Sequence, residues 1–264
     1  MKKLLIFVFV ALSFFFVSTV SASSYGWGFN RNNNNKTPDI GKYQSIIEGT
    51  DSYYVGNTED KVVYLTFDAG YDNGNIPKIL EVLNEKNVYV TFFLTGDFLV
   101  REEGLVRLID SYGHIIANHS WSHKNIANLS KIELTNEVLK FENKIEQILQ
   151  KQTVKFFRPP AGNFNRDSLM QLKEMGYKTF FWSIAYKDWI NGETKSRENP
   201  TDHIIRNIHN GAIILLHSVS NNNLEALPDI IDNIKAKGYE IQNLDAIKSS
   251  GNWTFSLQKV WKIV

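Results

Sequence analysis

Asp68 stands at the end of the apolar run Val62–Phe67, with Gly70 and Gly74 close behind it. A carboxylate at such a boundary can take a proton from water or hold a cation, and α/β proteins keep their reacting groups where buried parallel strands give way to loops. Four more stretches carry side chains of the same competence: His119-Ser-Trp-Ser-His123, Arg158-Pro-Pro-Ala-Gly162, Asp188-Trp189, and His217 after Ala212–Leu216. Two imidazoles at i and i+4 face the same way on a helical turn and can grip one metal ion. The plain alternative is a pair of hydrogen-bonded loop histidines. An acid and a third histidine at other strand ends favour the ion. Arg158 precedes two prolines, which fix their own φ and restrict the residue before them, so its guanidinium is placed to hold Asp68 through a two-pronged, charge-assisted pair. A surface arginine beside a proline turn is the alternative. Asp188 either holds and charges His217 or is a loop acid beside a core aromatic. His114 begins its strand at the opposite end and reads as structural, while His203 and His209 fall on a polar-faced helix and read as solvated.

The elements that must gather these groups alternate strictly. Strands are expected over Val62–Phe67, Val88–Leu94, His114–Asn118, Val154–Phe157, Lys178–Trp182, Ala212–Leu216 and Glu240–Gln242, where short apolar runs rich in β-branched and aromatic residues are bounded by polar turns. Helices are expected over Ile76–Lys86, Gly96–Tyr112, Ser130–Gln150, Arg166–Met175, Thr201–His209 and Leu224–Lys237. Pro77 suits a first turn, and Ser130 with Glu133 spells a capping box. Strand, helix, strand repeated in this way argues for parallel strands covered by helices, as an α/β barrel or a doubly wound sheet in a single domain.

Composition narrows the remaining possibilities. The formal net charge is +1, so nothing marks a polyanion-binding surface, and nucleic acid is an unexpected partner. There is no cysteine, hence no disulfide framework and no thiol nucleophile, and a transition metal would have to be held by imidazole and carboxylate. Lys2 and Lys3 precede an apolar run from Leu4 to about Val17, then the small residues of Val20-Ser21-Ala22. That pattern reads as a secretory signal over 1–22, cut after Ala22, with an uncleaved membrane anchor as the alternative. Losing two lysines and no acid takes the net charge from +1 to −1. Residues 23–60, with their Asn32–Asn35 run, read as an irregular extension whose Trp27 and Phe29 pack on the domain, and residues 248–264 as a C-terminal extension.

Taken together, Thr66-Phe-Asp-Ala-Gly70, His119-Ser-Trp-Ser-His123, Arg158-Pro-Pro-Ala-Gly162, Asp188-Trp189 and Leu215-Leu-His217 resemble the motifs of the polysaccharide deacetylases, the nodulation-protein homology family or carbohydrate esterase family 4. The likeness covers about 61–247. It implies a distorted (β/α) barrel of about seven parallel strands and hydrolytic removal of acetyl groups from N-acetylated sugars. It further implies Asp68 as the base, Arg158 as the residue orienting it, His217 as the general acid supported by Asp188, and a divalent metal, zinc foremost, on His119 and His123. Pro159, Ala161, Gly162, Trp189 and Leu215 are then expected to contact substrate. One position departs from the family pattern: the usual second aspartate, the third metal ligand, is Ala69 here, leaving Asp72 as a possible substitute. Thr66-Phe-Asp-Ala-Gly-Tyr71 followed by Asn73-Gly74-Asn75 resembles the branch acting on N-acetylmuramic acid in spore cortex, on the route to muramic δ-lactam. The expected partner is therefore a peptidoglycan glycan strand, met by an exported monomer in the cell wall or around the developing spore, without membrane attachment after signal cleavage. Two rivals remain: a deacetylase of N-acetylglucosamine in peptidoglycan or chitin, and a glycan-binding protein without catalysis.

Overall fold

The structure, a computed structural model, describes residues 23–31, 34–189 and 199–247, so the expected signal segment and the C-terminal extension lie outside the described residues. In chain order the elements are β1 (Tyr25–Gly26), α1 (Tyr43–Ile47), β2 (Ser52–Tyr53), β3 (Val62–Ala69), α2 (Ile76–Glu85), β4 (Thr91–Leu94), α3 (Gly96–Arg101), α4 (Glu103–Ser111), β5 (Ile115–Asn118), α5 (Lys131–Leu149), β6 (Phe156–Phe157), β7 (Asn163–Phe164), α6 (Arg166–Glu174), β8 (Lys178–Phe180), α7 (Pro200–Asn207), β9 (Ala212–His217), α8 (Asn221–Ala236) and β10 (Glu240–Gln242).

Seven strands, β3, β4, β5, β6, β8, β9 and β10, pair in parallel and curl into a distorted barrel, with β2 beside β8 as an eighth. β3 is the hub. Its Val63–Asp68 edge pairs with β9, while Val62–Tyr64 pairs with β10 and Thr66–Ala69 with β4. The curl closes where Ile184, beyond β8, bridges to Ile214 of β9. That bridge decides for the barrel over the open doubly wound sheet.

Side chains on a strand alternate faces, and β3 uses both. Val63, Leu65, Phe67 and Ala69 join the apolar cluster shared with α2 and α8. Val62 and Tyr64 point the other way and pack with Phe93, Ala117, Phe180 and Ile213 as the plug of the barrel. Thr66 and Asp68 continue that inner row to its carboxyl end. Every residue of β3 is buried, which is why its sequence shows an unbroken apolar run rather than an alternation.

Helix signals were mostly local and mostly obeyed. The capping box at Ser130 and Glu133 is formed in both directions. The single helix expected over 96–112 is instead two, broken at Glu102 (φ −120°, ψ 39°). Each half keeps its own i,i+4 pair, Asp97 with Arg101 and Glu103 with Arg107. α7 ends at Asn207, short of the expected His209, and β6 and β8 are shorter than expected. Among the described residues, no helix is long and apolar enough to cross a membrane.

The N-terminal extension lies against the domain and adds a strand. β1 pairs antiparallel with β7, and Trp27 stacks on Phe181 at 4.3 Å while its Nε1 donates to the carbonyl of Trp182 at 2.9 Å. Gly162 (φ +66°) makes this possible: a Cβ there would lie 2.8 Å from Trp27 Cβ and 2.9 Å from the Trp182 ring. The extension thereby braces the loop that begins at Arg158.

Candidate active site

Asp68 emerges from the plug already engaged. Arg158 Nη1 donates to its Oδ1 at 2.7 Å and to Thr66 Oγ1 at 2.9 Å, and Nε donates to the carbonyl of Phe180 at 3.1 Å. The guanidinium is fully buried and lies 4.0 Å from the centroid of Phe93. The expected two-pronged pair is thus one-pronged, because the fork is spread over three acceptors on β3 and β8. Burial alone would raise the carboxyl pKa of Asp68, but the charge of Arg158, helped by the neighbouring histidines and the Arg158 hydrogen bond, holds it below the usual carboxylate range. His119 turns Nδ1 to the carbonyl oxygen of Arg158 at 2.8 Å. A carbonyl only accepts, so Nδ1 carries the proton and Nε2 presents a lone pair, 3.5 Å from Asp68 Oδ2. Burial lowers the His119 pKa to about 4, so this approach is not an ion pair near neutrality.

His217 is held from the other side. Its Nδ1 meets Asp188 Oδ1 at 2.7 Å, and its backbone N–H donates to Asp188 Oδ2 at 2.8 Å. Trp189 stands over the ring, centroid to centroid 5.3 Å. Burial would lower the imidazole pKa, but the hydrogen bond and charge of Asp188, with the charge of Asp68, outweigh it and raise the value. With Nδ1–H committed to Asp188, Nε2 is the nitrogen free to exchange a proton.

The two clusters share one face of the sheet. Asp68 and His217 are direct register partners on the parallel pair β3–β9, on the same face. A carboxylate whose pKa is lowered therefore neighbours an imidazole whose pKa is raised, on adjacent strands. A polysaccharide deacetylase profile matches residues 55–180. The peptidoglycan-N-acetylmuramic acid deacetylase PdaA of Bacillus subtilis is 41% identical over 79% of this chain and 80% of its own length. The chain belongs to the polysaccharide deacetylase family. The crystal structure of the same B. subtilis protein, described as a family 4 carbohydrate esterase, superposes with a TM-score of 0.82 over 85% of this chain and 96% of that one, at 40% identity. A family 4 carbohydrate esterase from Bacillus anthracis is 36% identical with a TM-score of 0.71, over the same shares. A polysaccharide deacetylase is a hydrolase of amide bonds, and its fold is the distorted parallel barrel found here.

Deacetylases of this family are generally metal-dependent, and the donors here can be tested against that rule. His119 and His123 come together, ring centroids 5.0 Å apart, although on a bent loop rather than the expected helical turn. Ser120 and His123 adopt positive φ (65° and 55°), and the bend is pinned by Asn118 Oδ1, Ser120 Oγ and the Glu137 carboxylate. Neither position expected to supply a third donor does so. Ala69 is buried in the apolar cluster on the helix side of β3. Asp72 is turned away to accept from the amides of Gly74 at 2.9 Å and Ile76 at 3.1 Å, where it caps α2. Among the described residues no group of three or more His, Asp or Glu side chains is arranged to hold a metal ion. Catalytic zinc normally takes three protein ligands, so these residues do not fit such a site.

Of the five residues expected to contact substrate, Ala161 and Trp189 offer exposed surface, whereas Pro159, Gly162 and Leu215 are buried. His203 and His209, expected in solvent, are buried instead. His209 is bonded to Ser183 Oγ (3.0 Å) and the Asn210 carbonyl, and His203 packs on Tyr186 at 5.1 Å. His114 is structural as expected, accepting from Val90 N–H. Thr66 was overlooked as a partner of Arg158, although its place two residues before Asp68 puts it on the same face. Asn73 and Asn75 were also missed: they donate to the carbonyls of Val219 and Ser218, tying the loop after Asp68 to the loop after His217.

Proposed function

We propose that this chain hydrolyses the acetamide of N-acetylmuramic acid in peptidoglycan, on glycan already stripped of peptide, with Asp68 as base and His217 as acid. The observation that carries the reading is the direct pairing of Asp68 with His217 across β3 and β9. It is supported by 41% identity to a protein named for that activity. Asp68 draws a proton from water as the water oxygen attacks the acetyl carbon. Arg158 keeps the carboxylate aimed. As the C–N bond of the tetrahedral intermediate breaks, His217 Nε2–H protonates the departing sugar nitrogen, leaving acetate and a free amine.

Muramic acid without its peptide bears a lactyl carboxylate. An amine exposed beside that carboxylate is the precursor of a muramic δ-lactam, and the reading assigns the reaction to spore-cortex maturation. The 1–22 segment supports export to the wall. Zinc on two imidazoles alone would be held weakly, so added zinc rather than a resident ion is expected to change activity.

The test is mass spectrometry of peptide-free muramyl glycan, peptide-bearing glycan and chitin oligosaccharide after incubation with the protein, with and without chelator. Acetyl loss confined to the peptide-free muramyl residues is the expected result. Loss confined to glucosamine residues would move the assignment to an N-acetylglucosamine deacetylase, and no loss from any glycan would leave a binding protein.

A further inference from the structure

Asp188 is not the last member of the chain that holds the acid. Asn223, buried in the first turn of α8, donates from Nδ2 to Asp188 Oδ2 at 2.6 Å and to the carbonyl of His217 at 3.2 Å. Its backbone N–H is bonded to Ser220 Oγ, the cap of α8, so the residue sits on a fixed helix end. The opposite end of its amide is held as well: the hydroxyl of Tyr186 donates to Asn223 Oδ1. Which end of the amide faces which neighbour is decided by chemistry at both sides. The Asp188 carboxylate only accepts, which requires the NH2 end. Burial, with the charge of Asp188, raises the pKa of Tyr186 and keeps its hydroxyl a donor, which requires the carbonyl end.

We propose that Asn223, oriented by Tyr186, is a positioning residue for the general acid: it fixes the rotation of Asp188 and so the tautomer and aim of His217. The proposal rests on the reading of His217 as the acid. Asp188 Oδ2 has two donors, the His217 backbone N–H and Asn223, and Oδ1 has the His217 ring. Removing Asn223 leaves the carboxylate held by His217 alone, through its ring and its backbone N–H, so the rotation of Asp188 is less restrained and with it the acceptor that commits Nδ1–H and leaves Nε2 toward the substrate. Outer partners that orient metal-bound imidazoles typically contribute about 10–100-fold, and the same order is expected for one that orients a proton-donating imidazole. Tyr186 adds a smaller share, because without its hydroxyl the amide can flip and set a carbonyl oxygen against the carboxylate. The ring of Tyr186 lies on His203 of α7, so Tyr186→Phe keeps the packing and removes only the donor.

The experiment compares the full chain with Asn223→Ala, Tyr186→Phe and the exposed neighbour Asn222→Ala, reading thermal midpoint, kcat and KM on peptide-free muramyl glycan. In parallel, the proton on His217 Nδ1 is followed by NMR of protein carrying 15N-histidine, a signal that needs no turnover. Expected are a kcat about 10–100-fold lower with nearly constant KM for Asn223→Ala, a several-fold drop for Tyr186→Phe, and no change for Asn222→Ala. The downfield Nδ1–H resonance should weaken or shift in the first two. An unmoved resonance overturns the proposal, whatever happens to kcat, since the loss would then be structural. Should Asn223→Ala fail to fold, Tyr186→Phe carries the test alone. If the wild-type protein releases no acetate, the functional reading fails while the resonance still decides whether Asn223 orients His217.

Discussion

The base side and the acid side of the pocket are built from different materials. Around Asp68 everything is interior: Arg158 is fully buried, Thr66 and His119 are buried, and the supporting acceptors belong to strands of the barrel. Around His217 the support is a loop acid and the first turn of a helix, the imidazole side chain keeps 24% exposure, and Trp189 keeps 48%. The difference follows the chemistry. A carboxylate that must stay ionised gains from a fixed counter-charge in a low-dielectric wall, whereas a group that must hand its proton to a leaving amine and be reloaded needs contact with substrate and water. The cost to Asp68 is lowered basicity, so its contribution has to come from aim rather than from proton affinity.

The sharpest way to break this division is Asp68→Asn. Acetate release should fall by about 10²–10⁴-fold, and the protein should also lose stability, because Arg158 is left with a buried, unmatched charge. A loss below tenfold would remove Asp68 from the role of base. Arg158→Lys comes next. Lysine lacks the planar fork that reaches Asp68, Thr66 and Phe180 together, and breaking a buried pair typically costs about 3–5 kcal/mol. Calorimetry should therefore show a large fall in midpoint. Asp188→Asn is the contrasting case: activity falls by about 10–100-fold with a much smaller change in midpoint. If both substitutions depress stability equally, the two sides are not different in kind.

The pH dependence sharpens the same contrast. Asp68, with its pKa lowered, remains a competent base to below the ordinary carboxylate range. His217, with its pKa raised, remains a charged acid to above the ordinary imidazole value. The kcat/KM plateau should widen at both limbs, and Asp188→Asn should move only the basic limb, toward lower pH. Stability behaves otherwise. His114 and His119 have folded pKa values lowered from 6.5 to about 4 by burial, so the unfolded chain takes up protons first as the pH falls through that window. Thermal midpoints should decline from about pH 6.5 to about pH 4, before Asp68 is protonated. The smallest effect belongs to Trp189→Ala: a few-fold rise in KM with an unchanged midpoint, as expected for an exposed ring at the mouth.

What could be read from the chain was what is local or periodic. The buried run ending in Asp68, the capping box at Ser130 and the alternation of strands and helices each depend on neighbouring residues, and each is present. The grouping of Asp68, Arg158, His119 and His217 was also legible, since strand ends of a parallel barrel gather at one rim. Illegible were matters of direction. Nothing in Asp72-Asn73-Gly74 tells whether the acid faces the pocket or caps α2, and the polar look of α7 hides that His203 lies against Tyr186. The three asparagines at 221–223 precede the expected helix start at Leu224, and nothing in the chain tells them apart. Only the structure separates the exposed Asn222 from the buried Asn223 that reaches Asp188.

Because β3 is laced on both edges, to β9 along one side and to β10 and β4 along the other, its amides should be among the slowest in the protein to exchange with deuterium. Segments of that kind open only when the whole domain opens. Heating should then abolish turnover at the same temperature as cooperative melting rather than ahead of it, and a preparation that still shows native secondary structure should still be active.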